Sequence, residues 1–148
     1  MHKKVIGIIL TMFVIIALVG CSCSYFSLTY DVNTGETVKI TLDTSDGYSI
    51  SASSTFIISK DGKEISKGSF ITRNTYDLLY GEIMIKDDIT VISTDFNDDY
   101  ECVFYTKNTE FNYIILLKGG KTGFFLSNKI SEESAKEVFN LLTFKIIE

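Results

Sequence analysis

Histidine is almost missing from this sequence. The only one is His2, and proline and tryptophan are absent altogether. Histidine is the usual general base beside a catalytic serine or cysteine, and it is a common metal ligand. The chain after His2 therefore has no Ser–His or Cys–His catalytic pair and no histidine-based metal site. We accordingly expect a protein that is not an enzyme and that holds no cofactor.

Positive charge is also scarce. The chain has 14 lysines and arginines against 19 aspartates and glutamates, and Arg73 is the only arginine. Proteins that bind nucleic acid present a basic surface that neutralises its phosphates. The charge balance therefore argues against nucleic acid as a partner.

The first 21 residues contain what the rest lacks, a long apolar run. Lys3 and Lys4 precede mostly apolar residues over 5–19, and the run ends at Gly20 and Cys21. A charged start, an apolar stretch and a small residue at its end are typical of a secretory signal peptide. A retained transmembrane helix is the alternative, although about fifteen apolar residues are short for a span of roughly 20.

The end of this run, Leu18-Val19-Gly20-Cys21, resembles the lipobox of bacterial lipoproteins. The resemblance implies cleavage between Gly20 and Cys21 and a diacylglyceryl group on the Cys21 thiol. Two or more acyl chains anchor a protein stably to a bilayer, whereas one does so only marginally. We therefore expect anchoring through Cys21 at the extracytoplasmic face of a bacterial membrane. An ordinary signal peptide that is cut elsewhere is the second alternative.

Removal of residues 1–20 as a signal peptide would leave 128 residues, enough for a single domain. Of these, 12 are basic and 19 acidic, a formal net charge of −7. We expect residues 21–27 to form the lipidated N-terminus and a short tether, and residues 28–148 to form one globular domain. A tether of about six residues reaches at most about 20 Å, so the domain should lie close to the membrane.

The remaining cysteines, Cys23 and Cys102, allow a disulfide, which is compatible with a location outside the cytoplasm. The alternative is two unpaired thiols, with Cys102 as a small buried apolar residue. We favour unpaired thiols, because sequence spacing alone cannot supply disulfide geometry. Two thiols without histidine are a poor zinc site.

Oxygen ligands for a calcium ion cluster near the middle of the chain. They are Asp95, Asn97, Asp98, Asp99 and Glu101. The cluster lacks the spacing and the central glycine of an EF-hand loop. We therefore interpret it as a solvated acidic turn between two strands, and keep metal binding as a weak alternative.

Gly120-Lys121-Thr122 is similar to the end of a phosphate-binding loop. That motif requires a glycine five residues before Gly120, where this chain has Ile115. A hairpin turn is the better interpretation.

Most of the chain after Ser27 alternates apolar and polar residues between turn signals, a pattern typical of β-hairpins. Asp61-Gly62 is a strong hairpin signal, because both central residues of such a turn need positive φ. The apolar run at residues 113–117 indicates a strand buried on both faces. Helices are expected near residues 75–85 and after Ser131, whose hydroxyl is a good N-cap.

These elements predict an α+β fold. We expect a mostly antiparallel sheet of hairpins, a C-terminal amphipathic helix packed on one face, and a second short helix near residues 75–85. Residues 138–146, VFNLLTFKI, resemble the end of small PsbP/Mog1-like lipoprotein domains. This resemblance carries no functional residue over to the chain.

The sequence therefore indicates a membrane-anchored lipoprotein with a noncatalytic binding or accessory domain of the cell envelope. Its expected partners are membrane lipid, through acylated Cys21, and an envelope or membrane protein beside the anchor. Two alternatives stay open, a small-ligand-binding lipoprotein and a carboxylate-dependent envelope hydrolase. Two buried carboxyl groups facing one cleft would be the sign of the hydrolase.

Overall fold

Alternation of apolar and polar residues folds most of this chain into strands. The computed structural model describes residues 24–52 and 55–147. It contains the strands β1 Tyr25–Asp31, β2 Thr37–Asp43, β3 Tyr48–Ala52, β4 Phe56–Lys60, β5 Lys63–Thr72, β6 Ile89–Phe96, β7 Tyr100–Lys107, β8 Glu110–Leu117, β9 Thr122–Asn128 and β10 Leu142–Ile146. The helices are α1 Arg73–Ile85 and α2 Glu132–Leu141, and Ser45–Gly47 form a 3-10 turn.

The strands form two antiparallel sheets. The larger has seven strands in the order β3-β4-β5-β9-β8-β7-β6, and the smaller has three in the order β1-β2-β10. Strand β10 returns from the end of the described chain to pair with β2, where Phe144 lies opposite Ile40. The last strand of the described chain thus completes a sheet begun by the first two.

Apolar side chains fill two layers, one on each face of the large sheet. The small sheet and α2 cover one face, where Ile40 and Leu42 of β2 share a cluster with Phe104 and Phe124. On the other face α1 packs Tyr76 and Ile83 against β7 and β8. Strand β8 serves both layers, and its residues 113–117 are all buried. The prediction of a doubly buried strand there is confirmed.

The structure contains the hairpin turn predicted at Asp61-Gly62 and the helix N-cap predicted at Ser131. Asp61 and Gly62 have φ of 51° and 78° and join β4 to β5, so the predicted hairpin is confirmed. Helix α2 begins after Ser131, whose Oγ accepts the N–H of Ser134 at 3.0 Å. Helix α1 begins after Thr72, which caps it by accepting the N–H of Thr75 at 3.2 Å.

The expected α+β class is wrong. Of the described residues 57% lie in strands and 21% in helices, so the fold is mostly β, with two antiparallel sheets instead of one. Helix α1, the longer of the two helices, lies in the middle of the chain, and strand β10 follows α2. The local periodicity indicated individual helices and strands, but it did not show that β2 pairs with β10, which is distant in sequence, and not with β3, which follows it.

The first strand starts before the predicted domain boundary. We expected the domain to begin at residue 28, whereas β1 begins at Tyr25, which lies opposite Asp43 in β2. Residues 1–23 lie outside the described part of the chain. Within residues 24–52 and 55–147, no helix has the length and apolarity needed to cross a bilayer.

Candidate functional site

The turn that follows β8 holds a carboxylate from a distant part of the chain. Residues 118–121 connect β8 to β9, as the hairpin interpretation of Gly120-Lys121-Thr122 requires. The backbone N–H of Lys121 donates to both carboxylate oxygens of Glu36, at 2.9 and 3.0 Å. The hydroxyl of Thr122 donates to the same carboxylate at 2.7 Å. Glu36 thus occupies two donors of this turn, the backbone N–H of Lys121 and the hydroxyl of Thr122.

The same turn is tied to the start of helix α1. The N–H of Arg73 donates to the carbonyl of Lys121 at 2.8 Å, and its Nη2 donates to the carbonyl of Gly120 at 3.2 Å. In the β1–β2 turn, the hydroxyl of Thr34 lies 2.6 Å from that of Thr122. The β1–β2 turn, the start of α1 and the β8–β9 turn, which are far apart in sequence, therefore meet at one end of the molecule.

An open cavity of about 420 Å³ lies at this end of the molecule. It is beside the β1–β2 turn, at the end of that hairpin opposite to Tyr25, and we call it the distal cavity. It is lined by Thr34, Thr72, Arg73, Asn74, Asp77 and Lys121. Ligand pockets commonly have volumes of roughly 300–1,000 Å³ and a few convergent polar groups. The lining holds two cations, Arg73 and Lys121, and one carboxylate, Asp77, so its net charge is positive and suits an anion.

The acidic cluster lies in the β6–β7 hairpin, and part of it maintains the turn. The Oδ1 of Asn97 accepts the N–H groups of Asp99 and Tyr100 at 2.9 and 3.0 Å. The Oδ2 of Asp95 accepts from the Asn97 amide and the Tyr100 hydroxyl, each at 3.2 Å. Asp98 lies in the same turn, and Glu101 is in β7 opposite Phe96. Among the described residues, no group of three or more His, Cys, Asp or Glu side chains is placed to hold a metal ion.

Cys102 lies in the core, in the cluster covered by the small sheet and α2. Its side chain is 3% exposed and unpaired in the part of the chain that the structure describes. Burial, reinforced by the nearby carboxylate of Asp95, raises the pKa of the thiol to about 12. Cys23 lies outside the described residues, so the expectation that Cys23 and Cys102 are unpaired stays a prediction.

The start of the described chain is fixed to the folded body. The carbonyl of Ser24 accepts both the N–H and the hydroxyl of Thr44, each at 2.7 Å. The next two side chains are aromatic and open to solvent, Tyr25 being 66% and Phe26 49% exposed. Gly20 and Cys21, the predicted cleavage and lipidation residues, lie outside the described residues.

The buried pair of carboxyl groups that we expected of a carboxylate-dependent hydrolase is not present among the described residues. Between residues 24 and 52 and between 55 and 147, the buried polar side chains are Ser66, Asn112, Thr122 and Asn128, and none is an aspartate or glutamate. No observation here favours the hydrolase alternative.

Comparison with known proteins found no matching family model, no matching curated protein and no matching solved structure. The resemblances to a lipobox and to PsbP/Mog1-like domains therefore stay predictions.

Sequence reasoning missed the distal cavity and the role of Glu36. The one sequence feature that could have pointed to the cavity is that Arg73 is the single arginine of the chain. Its proximity to Lys121 depends on contacts between residues 47 and 48 positions apart, which no local pattern contains.

Proposed function

We propose that this chain is a lipid-anchored, noncatalytic binding domain at the extracytoplasmic face of a bacterial membrane. One observation carries the proposal. Cys21, at the end of a lipobox-like sequence, stands only three residues before Ser24, where the chain is already hydrogen-bonded to the folded body. An acylated Cys21 would hold the domain directly against the bilayer.

The short distance between anchor and domain limits the choice of partner. Three residues span at most about 11 Å, so the domain cannot reach molecules far from its own membrane. We therefore favour a partner that is itself a membrane or envelope protein. The mature chain's net charge of −7 agrees with a protein partner rather than with nucleic acid.

Crosslinking in native membranes tests this function. The full chain is expressed in a bacterium, crosslinked in its membranes and purified, and the captured proteins are compared with those of the Cys21→Ser variant. One dominant partner that is lost in the variant would support an anchored binding domain. Capture of the same proteins by both forms would contradict it, because anchoring would then make no difference to the partner.

A small anionic ligand is the second candidate, and the distal cavity favours it. Lys121 and Arg73 are exposed cations among its lining residues, and they outnumber the one lining carboxylate, that of Asp77. The binding of the Lys121 backbone to Glu36 and Arg73 does not involve its ammonium group. The ammonium can therefore be removed without loss of those backbone bonds.

Thermal unfolding with inorganic phosphate and with succinate tests this candidate. A ligand that binds only the folded state raises the melting temperature by mass action. The rise should be lost in Lys121→Gln and kept in Lys118→Gln, which removes an exposed lysine of the same turn that does not line the cavity. Equal shifts in the two variants, or none in the unmodified protein, would count against an anion site.

A further inference from the structure

We propose that Tyr25 and Phe26 lie in the interfacial region of the bilayer and orient the domain, with the distal cavity facing away from the membrane. The inference rests on the proposed lipidation of Cys21. Tyr25 and Phe26 begin strand β1, next to the point where the described part of the chain starts. They are the aromatic side chains nearest in sequence to the proposed anchor.

Ser24 has a fixed position in the domain. Its carbonyl accepts two hydrogen bonds from Thr44, so the chain is held to the folded body at this residue. Cys21 precedes it by three residues and must lie within about 11 Å of it. The glyceryl group on Cys21 would sit at the headgroup level, and this brings the start of β1 to the membrane surface.

The two aromatic side chains suit that location. The polar layer of a leaflet is roughly 5–8 Å thick. Tyrosine, whose ring carries a hydroxyl, concentrates there, whereas an apolar ring such as that of Phe26 can bury at the boundary between headgroups and acyl chains. Tyr25 and Phe26 are 66% and 49% exposed. Successive residues of a strand point to opposite faces, so the two rings flank the strand end on both sides.

The strand pairing then sets the orientation of the rest of the domain. Tyr25 lies opposite Asp43 at one end of the β1–β2 hairpin, and Asp31 lies opposite Thr37 at the other. A seven-residue strand is roughly 20 Å long. Thr34, in the turn beyond Asp31, lines the distal cavity. That cavity would therefore face away from the membrane, where a partner or ligand can reach it.

The absence of tryptophan from the chain allows a direct test. Tyr25→Trp and Phe26→Trp each place a single tryptophan at the proposed contact, and its emission can be excited apart from that of the tyrosines. Ile147→Trp is the matched control, because Ile147 is 44% exposed and its N–H donates to Thr37 at the far end of the hairpin. All three sites are exposed, and equal melting temperatures would show that the fold is kept.

The three full-length lipoproteins are reconstituted in zwitterionic phosphatidylcholine vesicles whose acyl chains carry bromine near the headgroup. Zwitterionic lipid is chosen because Asp43 and Asp46 lie at the same end of the domain. We expect a blue-shifted emission and strong quenching for the first two variants, and neither for Ile147→Trp. Quenching at residues 25 and 26 that does not exceed that at 147 would overturn the inference.

Two further readouts distinguish a wrong orientation from a missing anchor and from self-association. The intact mass of each sample reports lipidation, so a lipidated protein without quenching overturns the orientation alone, whereas an unlipidated mass overturns the proposed function on which it rests. A lipid-free Phe26→Trp protein, made without residues 1–20 and with Cys21→Ser, gives the control for self-association. A blue shift that grows with its concentration would show that a second copy covers the aromatic pair. That result would also overturn the inference.

Discussion

Both carboxylate oxygens of Glu36 accept the backbone N–H of Lys121, at 2.9 and 3.0 Å, across 85 residues of sequence. Glu36 belongs to the β1–β2 turn of the small sheet, whereas Lys121 precedes β9 of the large sheet. The contact therefore joins the two sheets at the distal end. Arg73 extends the same connection to helix α1 through the carbonyl of Lys121.

Replacement of Glu36 by alanine should weaken the connection between the sheets. Hydrogen bonds to a charged group contribute about 1.5–3 kcal/mol each when well shielded, and this carboxylate is half-buried. We expect Glu36→Ala to lower the free energy of unfolding by about 1–2 kcal/mol, measured by urea denaturation. Glu64→Ala, at an exposed position of β5, should change it by less than about 0.5 kcal/mol. Equal effects of the two substitutions would show that the Glu36 contact is not stabilising.

Two glycines should respond to alanine in opposite directions. A Cβ on Gly68 would overlap the ring of Phe56, which is fully buried between Phe70 and Phe124. A Cβ on Gly81, in helix α1, would meet open space. We expect Gly68→Ala to lower the free energy of unfolding by about 1–3 kcal/mol.

Gly81→Ala should instead raise the free energy of unfolding by about 0.5–1 kcal/mol, because alanine has the higher helix propensity. Thermal or urea unfolding of both variants gives the comparison. A Gly68→Ala protein as stable as the unmodified one would mean that the Phe56 ring can move aside, contrary to the close contact between strands β4 and β5 at this point.

Stability should fall in alkaline solution because of Cys102. Burial raises the pKa of its thiol from 9.0 to about 12 in the folded protein. Below pH 9 the thiol is protonated in both states, but between pH 9 and 12 only the unfolded chain loses the proton. The free energy of unfolding therefore decreases as the pH rises through this window.

The Cys102→Ala variant isolates this contribution. In a Cys23→Ser background, the loss of stability between about pH 8 and pH 10 should be smaller for Cys102→Ala by about 1.4 kcal/mol. Buried tyrosines such as Tyr105, whose pKa burial also raises to about 12, remain in both proteins and their effect cancels in the comparison. Identical pH dependence of the two proteins would mean that the Cys102 thiol titrates normally in the folded state.

Local chemistry made part of this fold predictable. The Asp61-Gly62 turn, the Ser131 cap and the doubly buried run of β8 each depend on neighbouring residues, and the structure has all three. The two-sheet arrangement was not predictable in the same way. It requires β2 to pair with β10, about 100 residues away, and not with β3, and many strands of similar composition could compete for that place.

The candidate site shows the same limit. Gly120-Lys121-Thr122 was recognisable as a turn. The carboxylate that it binds belongs to Glu36, and Arg73 lines the cavity beside it, and both residues are distant in sequence. The exposure of Tyr25 and Phe26 was equally hidden, because an aromatic residue in a strand is usually buried. Their proposed contact with the membrane depends on the short sequence distance to Cys21, and that distance can be read from the sequence.

The intact mass of the membrane-bound protein tests the central claim most directly. The full chain and its Cys21→Ser variant are expressed in a bacterium, separated into membrane and soluble fractions, and weighed by mass spectrometry. We predict a chain that begins at Cys21, carries a diacylglyceryl group and stays with the membrane, while the variant is not lipidated and is either released or left as the uncut precursor. An unlipidated mass for the unmodified protein, or membrane retention of a cleaved variant equal to that of the unmodified protein, would contradict lipid anchoring.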